Sequence, residues 1–129
     1  MMERPPHLGI RHVALYTNAF DAMKRFYVDR LGFEVEWEPD ADNVYLCSGS
    51  DNLALHRAAA DRVLAGGPLD HIGIIVPSAE DVDRWADYLG AHGVELKAAP
   101  RTHRDGARSL YLRDPDGNVV QIIHHPPIS

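Results

Sequence analysis

The sequence predicts an α+β fold built from two copies of one unit, a strand, a helix and three further strands. Three observations carry this. The first is an internal echo. Ile10 to Thr17 (IRHVALYT) returns as Leu69 to Val76 (LDHIGIIV), placing His12 and His71 at matched positions, and each is followed by a helical stretch. Each stretch then ends in a glycine-led strand, Leu31-Gly32-Phe33-Glu34-Val35 and His92-Gly93-Val94-Glu95-Leu96. The second is the punctuation, because turn-forming residues separate short β-rich runs in the same order in both halves. The third is size: 129 residues, 45% hydrophobic and 25% charged, suit one globular domain that buries roughly two-thirds of its unfolded surface. A repeat of roughly 60 residues in two copies is longer than most solenoid units, so it implies paired half-domains. Matched halves are expected to set matched residues, here histidines, face to face.

Residues 1–129 are therefore read as a single domain, with module one at about 10–57, a linker at 58–68 and module two at about 69–125. Met1 to Gly9, carrying Pro5-Pro6, reads as a loose arm. Ile10 to Thr17 is the first strand, rich in Val, Leu and Tyr. Asn18 offers a helix cap, Asp21 favours the free amides of the first turn, and Gly32 stops the helix, predicting a helix from Ala19 to Leu31. Its apolar Ala22, Met23, Phe26, Tyr27 and Leu31 recur at helical spacing and are assigned to the core. Strands follow at Phe33 to Glu38, Val44 to Ser48 and Leu53 to His56. Ala58 to Pro68 connects, with Gly66-Gly67-Pro68 as the breaker. In the second half, Asp70 to Val76 is a strand, and Ser78 caps a helix from Ala79 to His92 that Gly93 stops. Then come a strand from Val94 to Lys97, a polar loop from Ala98 to Arg108, and a hairpin of Ser109 to Arg113 with Val119 to His124. The hairpin turns through Asp114-Pro115-Asp116-Gly117-Asn118.

The formal charge of −6 disfavours a sequence-independent grip on nucleic acid and binding to anionic membrane. No apolar run approaches the ~20 residues of a spanning helix, and the N-terminus carries no apolar signal core. A soluble, cytoplasmic protein is expected. The single cysteine, Cys47, fits a reducing compartment and reads as a small hydrophobe within a strand. There is no phosphate-cradling glycine loop, no Cys-x-x-Cys pair and no nucleophile elbow, so nucleotide chemistry and serine hydrolysis are poor expectations.

Taken in order along nearly the whole chain, four motifs resemble the vicinal oxygen chelate superfamily, which includes glyoxalase I, fosfomycin and bleomycin resistance proteins and extradiol dioxygenases. They are Arg11-His12-Val13-Ala14-Leu15, the helix end Phe26-Tyr27-Val28-Asp29-Arg30-Leu31-Gly32-Phe33, Asp70-His71-Ile72-Gly73, and the turn Arg113 to Asn118 feeding the last strand. The resemblance implies two βαβββ modules whose curved sheets enclose a cup, in a pseudo-symmetric domain, and a homodimer that covers open sheet edges. It implies a divalent ion, Zn, Ni, Fe or Mn, held by residues on the first and fourth strands: His12, His56, His71 and Gln121. It places Asn52, Arg101, Tyr111 and Arg113 against a small-molecule substrate.

Imidazoles suit such ions independently of the resemblance, and an ion with open positions takes two neighbouring oxygens of a substrate as a Lewis acid. Gln121 departs from the glutamate usual in the metal-dependent relatives and brings no charge. Two functions therefore stand side by side. One is a divalent-metal enzyme, a glyoxalase-like lyase or isomerase or a dioxygenase, acting on a molecule with two neighbouring oxygens. The other is a metal-free binding protein of the bleomycin-resistance kind. His124 and His125 read as a solvated tail, and His7 and His103 as loop residues. Trp37 and Tyr45 are open to both core packing and pocket lining.

Overall fold

In the computed structural model, residues 4, 6, 8, 10–64, 67 and 69–128 are described. The expected N-terminal arm and the Gly66-Gly67-Pro68 breaker fall largely outside them. The chain forms two compact units, Met1–Leu64 and Ala65–Ser129, and each holds one four-stranded sheet and one helical segment.

The first unit runs β1 (His12–Thr17), α1 (Phe20–Arg25), β2 (Glu34–Asp40), β3 (Asn43–Cys47) and β4 (Asn52–Arg57). Its sheet order is β1-β4-β3-β2. β1 pairs β4 in parallel, with His12 opposite Asn52, Ala14 opposite Ala54 and Tyr16 opposite His56. Strand periodicity then divides the sheet. Leu53, Leu55, Val44 and Leu46 are buried on the face toward α1, along with Phe20, Met23, Phe26 and Tyr27. The other face carries His12, Ala14, Tyr16, Asn52, Ala54, His56, Asn43 and Tyr45.

The first helix departs from expectation at both ends. Asn18 does not cap it; Asn18 Nδ2 donates to the Arg62 carbonyl, while Thr17 Oγ1 accepts from the Ala19 amide at 2.9 Å. Past Arg25 the α-helix loosens into one π-helical turn, Phe26–Arg30, in which the Leu31 amide reaches back to the Phe26 carbonyl at 3.2 Å. The extra residue keeps Phe26 and Tyr27 buried together, with their rings edge to face at 5.2 Å.

The second unit runs β5 (His71–Ile75), α2 (Ala79–Ala91), β6 (Leu96–Thr102), β7 (Arg108–Arg113) and β8 (Val119–His124), in sheet order β5-β8-β7-β6. Ser78 caps α2 as expected, its Oγ accepting from the Asp81 amide and donating to the Asp81 carboxylate. Leu110, Leu112, Val120 and Ile122 are fully buried on the face toward α2, with Val82 and Leu89. The loop expected at Ala98 to Arg108 is instead mostly strand. β6 continues through Pro100 because its pairing with β7 slips between Ala98 and Arg101, and a proline is tolerated at such an irregularity on an edge strand. What remains is a tight turn closed by the His103 amide on the Ala107 carbonyl at 2.7 Å, with Gly106 at φ +89°. His124 is not a solvated tail residue. It pairs with Arg108, and its Nδ1 is buried without a hydrogen-bond partner.

Among the described residues, no helix is long and apolar enough to cross a membrane.

Candidate functional site

In the second unit the sheet face away from α2 gathers His71, Tyr111 and Gln121. The parallel register sets Gly73 opposite Gln121, and the β7–β8 hairpin sets Tyr111 opposite Gln121 on its other side. That hairpin is held by its turn. Asp114 is buried and accepts from the amides of Asp116 and Asn118 and from Asn118 Nδ2, while Gly117 takes φ +87°. A residue with a Cβ would be strained there, so the turn chemistry fixes the register that pairs Tyr111 with Gln121.

The side chains then orient one another. His71 Nδ1 lies 2.6 Å from Asp70 Oδ1; a carboxylate only accepts, so Nδ1 carries the proton and the Nε2 lone pair of the neutral ring is left uncommitted. The Tyr111 ring stands edge-on to the His71 ring at 5.7 Å, and Gln121 Nε2 donates to Tyr111 Oη at 3.0 Å. Gln121 Oε1 faces the gap at Gly73, where an added Cβ would lie 3.8 Å from it. Gln121 is only 8% exposed, so its amide is held rather than solvated.

These residues open into a pocket of about 680 Å³ lined also by Arg101, His103, Arg104, Asp105, Ala107 and Ile123. His103 Nε2 is hydrogen-bonded to the buried Ser109 Oγ at 2.6 Å, and Arg101 Nη2 lies 3.4 Å from His103 Nδ1. Arg108 anchors the turn from behind through two hydrogen bonds to Asp83 on α2 and one to Thr102. Hydrogen bonds from Arg108 hold the Asp83 carboxyl below its usual value, and the same bonds raise Arg108. Arg113 does not share this pocket; it borders a separate cleft with Val94, Glu95, Leu96 and Lys97.

In the first unit His12, Asn52 and His56 lie on one sheet face, but the structure does not bring His12 and His56 together. His56 faces Tyr16, four residues along the strand pair from the His12–Asn52 row, a separation of about 13 Å at the usual rise. Gln121 sits two residues beyond the strand partner of His71; the same offset in the first unit falls on Ala54. Asn52 Oδ1 is 2.7 Å from His12 Nδ1, and its Nδ2 donates to Glu36 Oε2 at 2.7 Å. His56 is flanked by the rings of Tyr16 and Tyr45, and Tyr45 stacks on Trp37 at 5.2 Å. The Arg62 guanidinium lies 3.9 Å over Tyr16. Among the described residues, no three His, Cys, Asp or Glu side chains converge as a ready ion cage.

Sequence reasoning passed over Asn43 and Asp70, each bonded to a strand histidine, and Glu36 and Asp40, each bonded to an asparagine that meets one, and left His103 as an unassigned loop residue. Asp70 directly precedes His71 and was the most accessible signal. Glu36, Asp40 and Asn43 depend on strand register, which no local pattern announces.

Comparison with known proteins places this architecture. Residues 9–122 match the model of the Glyoxalase/Bleomycin resistance protein/Dioxygenase superfamily. The chain is 32% identical over 123 residues to a biphenyl-2,3-diol 1,2-dioxygenase 3 of Rhodococcus globerulus, covering 88% of this chain and 61% of that protein. It thus spans about three-fifths of that relative's length. An uncharacterised protein of Bacillus subtilis, YraH, is 26% identical over 124 residues, covering 89% of this chain and 97% of that protein. Among solved structures, a lactoylglutathione lyase from Agrobacterium tumefaciens superposes with a TM-score of 0.78 at 26% identity, covering 94% of this chain and 96% of that one.

Proposed function

We propose that this chain, which belongs to the Glyoxalase/Bleomycin resistance protein/Dioxygenase superfamily, is a divalent-metal enzyme acting on a small molecule with two neighbouring oxygens. His71 and Gln121 in the second module and His12 in the first are the residues assigned to the ion. The observation that carries the reading is the uncommitted state of the donor atoms. Asp70 occupies His71 Nδ1 and Asn52 occupies His12 Nδ1, leaving each Nε2 for a ligand, while Tyr111 takes the Gln121 amide nitrogen and leaves Oε1. Metal-bound imidazoles commonly have their other nitrogen held in this way. His56 falls outside the assigned set because its register removes it from His12.

When bound, the ion supplies Lewis-acid stabilisation of negative charge on substrate oxygen. The chain's own residues do the rest. Tyr111 orients Gln121, Arg101 and Arg104 bring positive charge to the pocket rim, and His103, held by Ser109, offers an imidazole edge. Two imidazoles and an amide would bring no negative charge, so this set would hold a divalent ion less tightly than one containing a carboxylate. A vicinal diol on an aromatic ring is the substrate class favoured here, supported by likeness to the dioxygenase. We take the protein to be a cytoplasmic homodimer; each sheet, taken alone, has two outer strands that a second copy would cover.

The test is elemental analysis and metal titration of untagged protein beside a His12→Ala, His71→Ala double variant, followed by a screen of catechols for oxygen-dependent ring opening. Near-stoichiometric metal that the double variant loses supports the reading. Wild-type protein that takes up no ion in excess Zn, Ni, Fe or Mn sinks it and points to ligand sequestration without chemistry.

A further inference from the structure

The face of the first-module sheet away from α1 carries two hydrogen-bond chains of the same design. In one, His12 Nδ1 meets Asn52 Oδ1 at 2.7 Å and Asn52 Nδ2 donates to Glu36 Oε2 at 2.7 Å. In the other, His56 Nδ1 meets Asn43 Oδ1 at 2.6 Å, and Asn43 Nδ2 donates to both oxygens of Asp40 at 2.9 and 3.2 Å. Both chains end on β2, the strand that borders β3 at the sheet edge, and each crosses to a histidine on a more interior or opposite strand. The strand register makes this possible, because Asn43 lies opposite both His56 and Asp40, and Asn52 lies opposite His12.

An asparagine beside a histidine leaves both groups ambiguous, since either end of the amide satisfies either ring tautomer. A carboxylate at the end of the chain removes the ambiguity. Ionised, it only accepts, so the amide NH2 must turn toward it and the amide oxygen toward the ring. The ring nitrogen facing that oxygen must then carry the proton. A neutral imidazole has one N–H, so the far nitrogen keeps its lone pair. The Asp40 carboxyl is held below its usual range by hydrogen bonds from the Asp42 backbone and the Asn43 side chain, which keeps that terminus ionised at neutral pH.

We propose that Glu36 and Asp40 are positioning residues which, through Asn52 and Asn43, lock His12 and His56 in the Nδ1–H tautomer and so present two unprotonated Nε2 atoms on one sheet face. Two lone pairs about 13 Å apart along the strands select for ligands that bring hydrogen-bond donors or cations and against anions at those points. For His12 this rests on and deepens the metal reading, because ligation through Nε2 requires this tautomer. For His56 it stands without any ion.

The experiment is long-range ¹H–¹⁵N correlation of the histidine rings in the metal-free, ¹⁵N-labelled 129-residue chain at about pH 9, where an ordinary imidazole is neutral. His12→Gln and His56→Gln assign the signals. The expected result is the Nδ1–H pattern at both rings. Glu36→Gln frees the Asn52 amide to turn and should convert His12 to a mixture of tautomers while leaving His56 unchanged; Asp40→Asn should do the reverse. Asp40 also accepts from the Asp42 amide in its turn, so Asn43→Asp serves as a second variant that spares that contact. It sets a carboxylate directly against Nδ1 and should preserve the single Nδ1–H form. An Nε2–H pattern at either ring of the wild type, or tautomers indifferent to Glu36 and Asp40, overturns the proposal. Because the protein carries no ion in this measurement, its failure is distinct from failure of the metal reading.

Discussion

Replacing Gly73 by alanine separates the stability of the second module from the use of its sheet face. Gly73 lies between His71 and Ile75 on that face, opposite Gln121. An added Cβ would sit 3.8 Å from Gln121 Oε1 and 3.8 Å from Ile123 Cγ2, ordinary contact distances, and Gly73 is not among the glycines with positive φ. The fold therefore accepts the methyl group without strain. By restricting the unfolded chain, the substitution stabilises by about 0.4–1 kcal/mol, which is roughly 1–5 °C in Tm for a domain of this size. The ligand side behaves oppositely. The methyl group would narrow the space beside Gln121 Oε1, the atom that would hold the ion. Metal affinity should fall by about tenfold, equivalent to about 1.4 kcal/mol, while Tm rises. Calorimetric titration with Co²⁺ or Zn²⁺ and a thermal melt of the metal-free protein read the two effects. Unchanged affinity would refute ion approach along the Gly73 side of Oε1, and a lowered Tm would refute the packing argument.

Four other outcomes are expected. Gln121→Glu should raise divalent-metal affinity by roughly tenfold or more, since ligand charge sets such affinities, while lowering the Tm of the metal-free form because a carboxylate is desolvated at this buried position; isothermal titration and melting decide both. Ser78→Ala removes the Oγ that accepts from the Asp81 amide and should cost about 1 kcal/mol in urea unfolding, with no loss indicating that water replaces the cap. The Asp83 carboxyl is depressed below 3.8 by Arg108, so its stabilising contribution is fully present above the unfolded value and disappears as pH falls through the folded one. The gap in stability between wild type and Asp83→Asn should therefore be widest near neutral pH and close below pH 3.8; a gap that persists in acid contradicts the linkage. His124→Leu removes a buried ring nitrogen that has no partner and should leave stability unchanged or improved, whereas a clear loss would reveal a bond that the Nδ1 atom does make.

The two-module α+β architecture was legible because its causes are local. The β-branched run of Val and Ile in β8, the Ser78 cap of α2, and the Asp114 to Asn118 turn with Gly117 each act over a few residues, and each element formed where its pattern stood. Legibility failed where distant partners outweighed local preference. Asn18 has the chemistry of a cap, yet its side chain is drawn to the Arg62 carbonyl and Thr17 serves the helix start instead. Pro100 argues against a strand, yet pairing with β7 carries β6 through it by a slip in register.

The candidate site divides along the same line. Matched sequence spacing was enough to single out His12 and His71, because repetition is written along the chain, whereas Gln121 was singled out only through the resemblance to the superfamily. Which atoms those side chains offer was decided only by the folded sheets. The register set His56 four residues away from His12 and made Ala54 the counterpart of Gln121. It also joined Glu36 to Asn52 and Asp40 to Asn43, and it paired Tyr111 with Gln121. A side chain in a strand has a period of two and a neighbour on another strand, so its face is readable from sequence, whereas its partner depends on a pairing that a single slipped residue would change.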